Sequence, residues 1–272
     1  MVDKTKEITG LYDKSFEKDS CGFGLITNID NNPSHWLIDT AITALERLAH
    51  RGAVGADGTS GDGCGILFKI PEFFFRSIAN EHKINVAKDF AIGMFFLNTD
   101  STKRKASMKI VEKVVEENGF VLAGWRDVPT NEKICGEDAL KTLPHISQVF
   151  INPSEQINSK DIESKLLIIR RKIEILISKT DDDIFYITSL SSKVILYKGM
   201  IMPKHLAKFY LDLSNKKLET SLCVFHQRFS TNTTPQWSLA QPFRMLAHNG
   251  EINTIRANRN WSQARSSIFK TS

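Results

Sequence analysis

Apolar and polar positions divide the chain into short strand-like runs and longer stretches with helical spacing. From Cys21 to Asn28, the apolar Phe23, Leu25 and Ile26 stand among small residues, which predicts a strand. Pro33-Ser34 then opens a helix, because Leu37, Ile38, Ala41, Ile42, Leu45, Leu48 and Ala49 share one face, with Ser34 as the cap and Gly52 as the stop. A glycine-dense stretch, 52–65, delivers the chain into a second strand, Ile66-Leu67-Phe68. Residues 90–97 predict a buried strand, 104–118 a charged amphipathic helix and 119–128 a further strand. After these come a strand at Val149-Phe150-Ile151, a helix over 160–178, and a hairpin of 184–190 and 193–198 turning at Ser191-Ser192. A strand over 222–229, a polar turn region over 230–235, a short Met245-Leu246-Ala247 run and a helix over 254–268 complete the pattern. No Pro/Gly-rich linker and no repeat divides it, so the expectation is one α/β-type domain preceded by a leader.

Composition narrows the class. Of 272 residues, 41% are hydrophobic and 25% charged, as in ordinary globular proteins. The net charge of +5 comes from 36 basic and 31 acidic residues scattered along the chain, without the dense basic block that would neutralise a row of phosphates, so no nucleic-acid partner is expected. No apolar run reaches the ~20 residues of a membrane span, so no membrane partner is expected either. Cysteines at 21, 64, 135 and 223 form no CxxC pair, which points to free thiols in a reducing compartment rather than to a zinc site or a disulfide framework. Residues 1–20 hold nine Asp, Glu, Lys and Arg and no apolar core, which excludes a secretory signal; their acidic members argue against a mitochondrial transit peptide. The expected location is cytoplasmic, with a plastid as the other option.

Glycine is six of the fourteen residues in 52–65. Such a density suits either a backbone wrapped tightly near a site or a mobile surface loop, and composition alone does not choose. Cys21 carries more chemistry. A free thiol has a pKa of about 8.5 and an α-amino group about 7.7–8, so a cysteine at a chain start is nucleophile and base on one residue. Here that state needs cleavage of the Ser20-Cys21 bond, which the thiol itself can start by attacking the preceding carbonyl. Taken alone, Cys21 reads first as an ordinary buried thiol in a strand, since free cysteines are among the most buried residues. Arg228 leaves a strand end before a polar turn, where its guanidinium can hold a carboxylate through two parallel bonds, or simply pair with a surface acid. Asn249-Gly250 offers a side-chain amide and an unobstructed backbone N–H to an oxyanion, and is also a common turn dipeptide. His50, His226 and His248 admit a papain-type Cys/His arrangement, although Cys21 opens a strand rather than a helix. They also admit a three-histidine metal site, although no two stand at a short ligand spacing, so no metal is expected.

Asp19-Ser20-Cys21-Gly22-Phe23-Gly24 is followed by Leu48-Ala49-His50-Arg51-Gly52-Ala53, Asp57 and Gly61-Asp62-Gly63. Then comes the longest block, from Phe225-His226-Gln227-Arg228-Phe229-Ser230-Thr231-Asn232 through Pro235, Trp237 and Ala240-Gln241-Pro242-Phe243-Arg244 to His248-Asn249-Gly250-Glu251-Ile252-Asn253-Thr254. Together these resemble the class II glutamine amidotransferase domain of glutamate synthase large subunits, over about 11–262, with 100–215 the least distinctive part. The resemblance implies an α+β fold, a four-layer αββα sandwich of the N-terminal-nucleophile hydrolase type. It implies a leader over 1–20 and a glutamine amidotransferase domain over 21–272. In that reading Cys21 attacks the side-chain amide of L-glutamine, forming a γ-glutamyl thioester that water resolves to glutamate, with ammonia as the other product. Arg228 binds the α-carboxylate, Asn249 and Gly250 form the oxyanion hole, and Arg51, Thr231 and His248 lie near the site.

The resemblance places FMN, an iron-sulfur cluster and the use of ammonia with 2-oxoglutarate in further synthase domains or subunits, the implied partners, and no cofactor in this chain. Two departures stand out. Cys64 replaces a small Ala usual in the family, and the sequence stops before a later acidic segment that helps hold the α-amino group. The domain is therefore expected to be truncated at its C-terminal end. A second expectation, of an inactive fragment acting as an interaction module of the synthase, stands beside the enzymatic one.

Overall fold

A computed structural model describes residues 22–227, 234–244, 256–266 and 268, without the side chains of Ala257 and Asn258. Its strands form two four-stranded antiparallel sheets. The first has the order β1-β8-β2-β7, built from β1 (Phe23–Thr27), β2 (Cys64–Lys69), β7 (Val194–Gly199) and β8 (Leu222–Gln227). The second has the order β4-β5-β3-β6, from β3 (Ala91–Leu97), β4 (Phe120–Asp127), β5 (His145–Pro153) and β6 (Tyr186–Ser191). Ser192-Lys193 alone passes the chain from β6 to β7, and so from one sheet to the other. The result is an α+β sandwich of antiparallel sheets packed with helices, as the family resemblance implied.

The period-two alternation of β3 explains why its whole run is apolar. Ile92, Met94 and Phe96 face a core shared with the first sheet's Ile66, Phe68, Ile195, Tyr197, Cys223 and Phe225, with α1 (His35–Arg47) and with α2 (Glu72–Glu81). Ala91, Phe95 and Leu97 face the opposite way, into a second core closed by α3 (Ser101–Glu117) and α5 (Ile162–Ile177). In α5 the buried residues are Ile162, Leu166, Ile169, Ile173 and Ile177, one stripe of a 3.6-residue period. Asp100 caps α3 by accepting the backbone N–H groups of Thr102 and Lys103 at 2.8 and 2.9 Å.

Several expectations change in detail. α2 had no counterpart in the sequence pattern, because its Phe73-Phe74-Phe75 run has no clear period; Phe74, Phe75, Ile78 and Ala79 are buried while Phe73 is exposed. Strand β5 begins at His145, four residues before the predicted Val149, because the buried Ser147 and Gln148 break the apolar pattern. Ser34 precedes α1 but makes no side-chain cap; its backbone instead bridges Thr220. The remaining helices are short, α4 (Glu137–Lys141) and α6 (Leu206–Phe209), apart from α7 (Arg256–Ala264), which lies within the predicted 254–268.

A polar network crosses the shared core. The Arg126 guanidinium on β4 donates two bonds to Asp212, at 2.7 and 2.9 Å, and one to Gln148 Oε1 at 2.7 Å. Tyr197 donates its hydroxyl proton to Asp212 at 2.9 Å and accepts from Gln148 Nε2 at 2.9 Å. Burial first, and then the Asp212 charge, pushes the Tyr197 pKa up, which keeps it a donor.

Candidate active site

The first sheet brings together the sequence neighbours of Cys21 and Arg228. Gln227, which directly precedes Arg228, donates its backbone N–H to the carbonyl of Gly22, which directly follows Cys21, at 2.6 Å. The contact extends the β1–β8 register, in which Phe23 stands opposite His226. Gly22 has no space for a side chain, since an added Cβ would overlap the Gln227 carbonyl oxygen. The same Cβ position lies 3.7 Å from Cβ of Arg51. Arg51 is half-buried, at the end of the one-turn segment Ala49–Arg51 that follows α1. Of the predicted site residues, Arg51 alone is described; Cys21, Arg228, Thr231, His248, Asn249 and Gly250 lie outside the described residues.

The glycine-dense stretch is a wrapped backbone, not a loose loop. Asp57 accepts the backbone N–H groups of Thr59, Ser60 and Asp138 at 3.0, 2.7 and 3.1 Å, and the Ser60 hydroxyl. Ser60 Oγ in turn accepts the N–H of Ala139 at 3.1 Å, tying the stretch to α4. The Ser60 hydroxyl and these backbone donors hold the Asp57 carboxyl far below the usual carboxylate range. Val54 and Gly61 form a bridge across the stretch. Gly52 lies against Gln227: an added Cβ would overlap Nε2 of that side chain and stand 3.1 Å from Asp62 Oδ1.

Gln227 and Asp62 are thus buried beneath Gly52, with Gln227 Nε2 3.5 Å from Asp62 Oδ1. Sequence reasoning gave neither a role. The signal that could have found them is the pair of glycines, 22 and 52, that both make room for Gln227.

The three described cysteines have other work. Cys64 is fully buried and donates to the Ile201 carbonyl at 3.0 Å. Burial pushes its thiol pKa far up, with a further push from Asp62. Burial likewise pushes Cys223 up to about 12 and Cys135 up to about 11. Thiols held in this range carry almost no thiolate at neutral pH and are poor nucleophiles. Of the histidines considered as ligands, His50 is exposed with Nδ1 3.1 Å from the Arg47 carbonyl, and His226 stands on β8 opposite Phe23. Among the described residues no group of three or more His, Cys, Asp or Glu is placed to hold a metal ion, and no helix is long and apolar enough to cross a membrane.

Comparison with known proteins bears on the whole chain. The family described as Glutamine amidotransferases class-II matches residues 21–272. A ferredoxin-dependent glutamate synthase 1, chloroplastic/mitochondrial, of Arabidopsis thaliana is 41% identical over 267 residues, 97% of this chain and 16% of that protein. The glutamate synthase [NADPH] large chain of Azospirillum brasilense is 42% identical over 256 residues, 93% of this chain and 17% of that protein. The corresponding large chain of Bacillus subtilis (strain 168) is 39% identical over 261 residues, with 96% and 17% covered. The chain thus spans about one sixth of the length of these relatives. With a family match over nearly its whole length, on an antiparallel α+β sandwich that joins the neighbours of Cys21 and Arg228, the chain belongs to the class II glutamine amidotransferases.

Proposed function

We propose that residues 21–272 form a glutaminase domain of a glutamate synthase large chain, with Cys21 as an N-terminal nucleophile. The observation that carries this is the hydrogen bond from Gln227 to Gly22, with Arg51 beside it, which draws the sequence positions next to Cys21 and Arg228 into one place. Support also comes from the family match, which begins at Cys21, and from three other thiols unsuited to attack.

In this reading the α-amino group of Cys21, freed by loss of 1–20, takes the thiol proton. The thiolate attacks the side-chain amide carbon of L-glutamine, and the oxyanion that forms is held by the Asn249 amide and the Gly250 N–H. The amine then returns its proton to the leaving nitrogen; the C–N bond breaks, ammonia departs and a γ-glutamyl thioester remains. Water, deprotonated by the same amine, attacks the thioester and releases glutamate and the thiol. Arg228 holds the substrate α-carboxylate, and Arg51, Thr231 and His248 line the site.

The relatives named above are glutamate synthases, and the length they have beyond this chain is where FMN, an iron-sulfur cluster and the reaction of ammonia with 2-oxoglutarate belong in this reading. These other synthase domains or subunits are then the chain's partners. A cytoplasmic location fits the acidic leader, and the chloroplastic names of the plant relatives keep a plastid in view.

Ammonia release from glutamine tests the reading. The mature chain is expected to release ammonia and glutamate in equal amounts, and Cys21→Ser to release neither. Absence of release by the wild-type chain, alone and with synthase partners present, would overturn the reading in favour of an inert interaction module. A papain-type mechanism is separated by a variant with one extra residue ahead of Cys21, which remains active only if the base is a side chain.

A further inference from the structure

The two groups of proposed site residues are separated in sequence by a segment, 234–244, that is fastened to the body of the protein. Trp237 is buried: its indole N–H donates to the Ala139 carbonyl at 3.0 Å, and its ring packs on Phe96 and Phe209 and over Gly199, where a Cβ would overlap it. Arg244 donates to Glu163 at 2.6 Å. Between these anchors stands Lys198 on β7, a lysine with 0% exposure.

Lysine is rarely buried so completely, because its charged head loses hydration. Here the head donates to the Ser238 carbonyl at 2.7 Å and lies 4.6 Å from the centroid of the Phe243 ring. On the other side it is 3.4 Å from the Tyr186 hydroxyl and 4.7 Å from that ring's centroid. No carboxylate pairs with it among the described residues. Burial, with a smaller effect of the Arg170 charge, holds its pKa well below the usual lysine value, and the head donates to Ser238 in either protonation state.

Lys198 therefore grips the segment at two points five residues apart, Ser238 and Phe243. Its own strand continues the grip toward the site: Lys198 stands opposite Gly65 on β2, and the adjacent Cys64 stands opposite Gln227, the residue before Arg228. We propose that Lys198 is a positioning residue: by holding segment 234–244 on the first sheet, it sets how Arg228, before the segment, and the Asn249-Gly250 pair, after it, are presented to one glutamine molecule. The inference rests on the glutaminase reading for its substrate, and on the described geometry for the clasp itself.

The test compares wild type with Lys198→Met, which keeps the stem and removes the donor, and with Phe243→Leu, at a half-buried ring where folding is less at risk. Positioning predicts a KM for glutamine raised about tenfold in Lys198→Met and about threefold in Phe243→Leu. It also predicts that iodoacetamide, a small reagent that does not need the carboxylate clamp, alkylates Cys21 within twofold of the wild-type rate. Because the Asn249-Gly250 pair is held by the same clasp, positioning also predicts a lower kcat per Cys21 titrated by iodoacetamide. A merely structural role would lower only the amount of folded enzyme and leave both KM and kcat per titrated Cys21 unchanged; that result, in whichever variant folds, overturns the proposal. Should the wild type itself lack glutaminase activity, the glutaminase reading fails, and amide hydrogen exchange decides the clasp separately. Faster exchange in the variants at Leu239 and Ala240, whose N–H groups donate to the Gln236 carbonyl within the clasped segment, retains the clasp, and unchanged exchange removes it.

Discussion

Gly52 has a side chain's worth of space already filled by Gln227, so the consequence of adding even one methyl there is calculable. Gly52→Ala forces Gln227 away from Asp62 or shifts the backbone, and overpacking of this kind costs about 1–3 kcal/mol. Urea unfolding monitored by tryptophan fluorescence is expected to show that loss, whereas Gly58→Ala, where nothing lies within reach of a Cβ, is expected to be governed by its positive φ of 69° alone. Asp57 offers a pH-dependent counterpart. Its folded pKa is depressed, so its contribution is fully present above its unfolded value near 3.9 and is lost as pH falls through the folded value. The stability difference between wild type and Asp57→Asn is therefore expected to be constant at neutral pH and to shrink below about pH 4. A difference that grows in acid would contradict this assignment. At this scale the sequence was partly legible. Six glycines in fourteen residues left a wrapped backbone and a mobile loop both open, and what decides between them, Gln227 filling the vacated space, stands more than 160 positions away and is invisible to any local pattern.

Elements with a strong period were legible because packing followed the period. The α1 face and the all-apolar β3 were read from spacing alone, since each residue enters the core that its position dictates. The first half of β5, before the predicted Val149, and all of α2 were not, because Ser147 and Gln148 are buried polar residues inside a strand and Phe73 is an exposed aromatic in a helix. The burial of Gln148 becomes intelligible only with its partners: Arg126, Tyr197 and Asp212 satisfy one another across β4, β5, β7 and the turn Leu211–Ser214. Side chains of Arg126 and Asp212 are 6% and 4% exposed, so removing one partner leaves a buried unpaired charge. Asp212→Ala is expected to lower stability by about 3–5 kcal/mol in equilibrium unfolding, while the paired change Arg126→Met with Asp212→Leu is expected to recover most of the loss. Equal destabilisation by the single and the paired changes would show that volume, not charge, dominates there.

Across the molecule, the two sheets divide the labour. The second sheet, with α3 and α5 on one face and the shared core on the other, is scaffold; the first carries Gly22 and Gln227 at one end and the clasp of Lys198 on its β7 edge. The family was readable from the motifs around Cys21 and Arg228 before any coordinates, because those motifs are long and bear chemistry. The clasp was not, because it depends on β7 meeting a segment some forty residues later, and a lone lysine in a strand carries no local sign of burial. The central claim is that Cys21 becomes the first residue and the nucleophile. Intact-mass measurement of the purified protein before and after treatment with a glutamine-mimicking diazoketone tests it most directly. The account predicts a chain beginning at Cys21 that gains one equivalent of the reagent on that residue; a chain retaining 1–20 and gaining no label would contradict it.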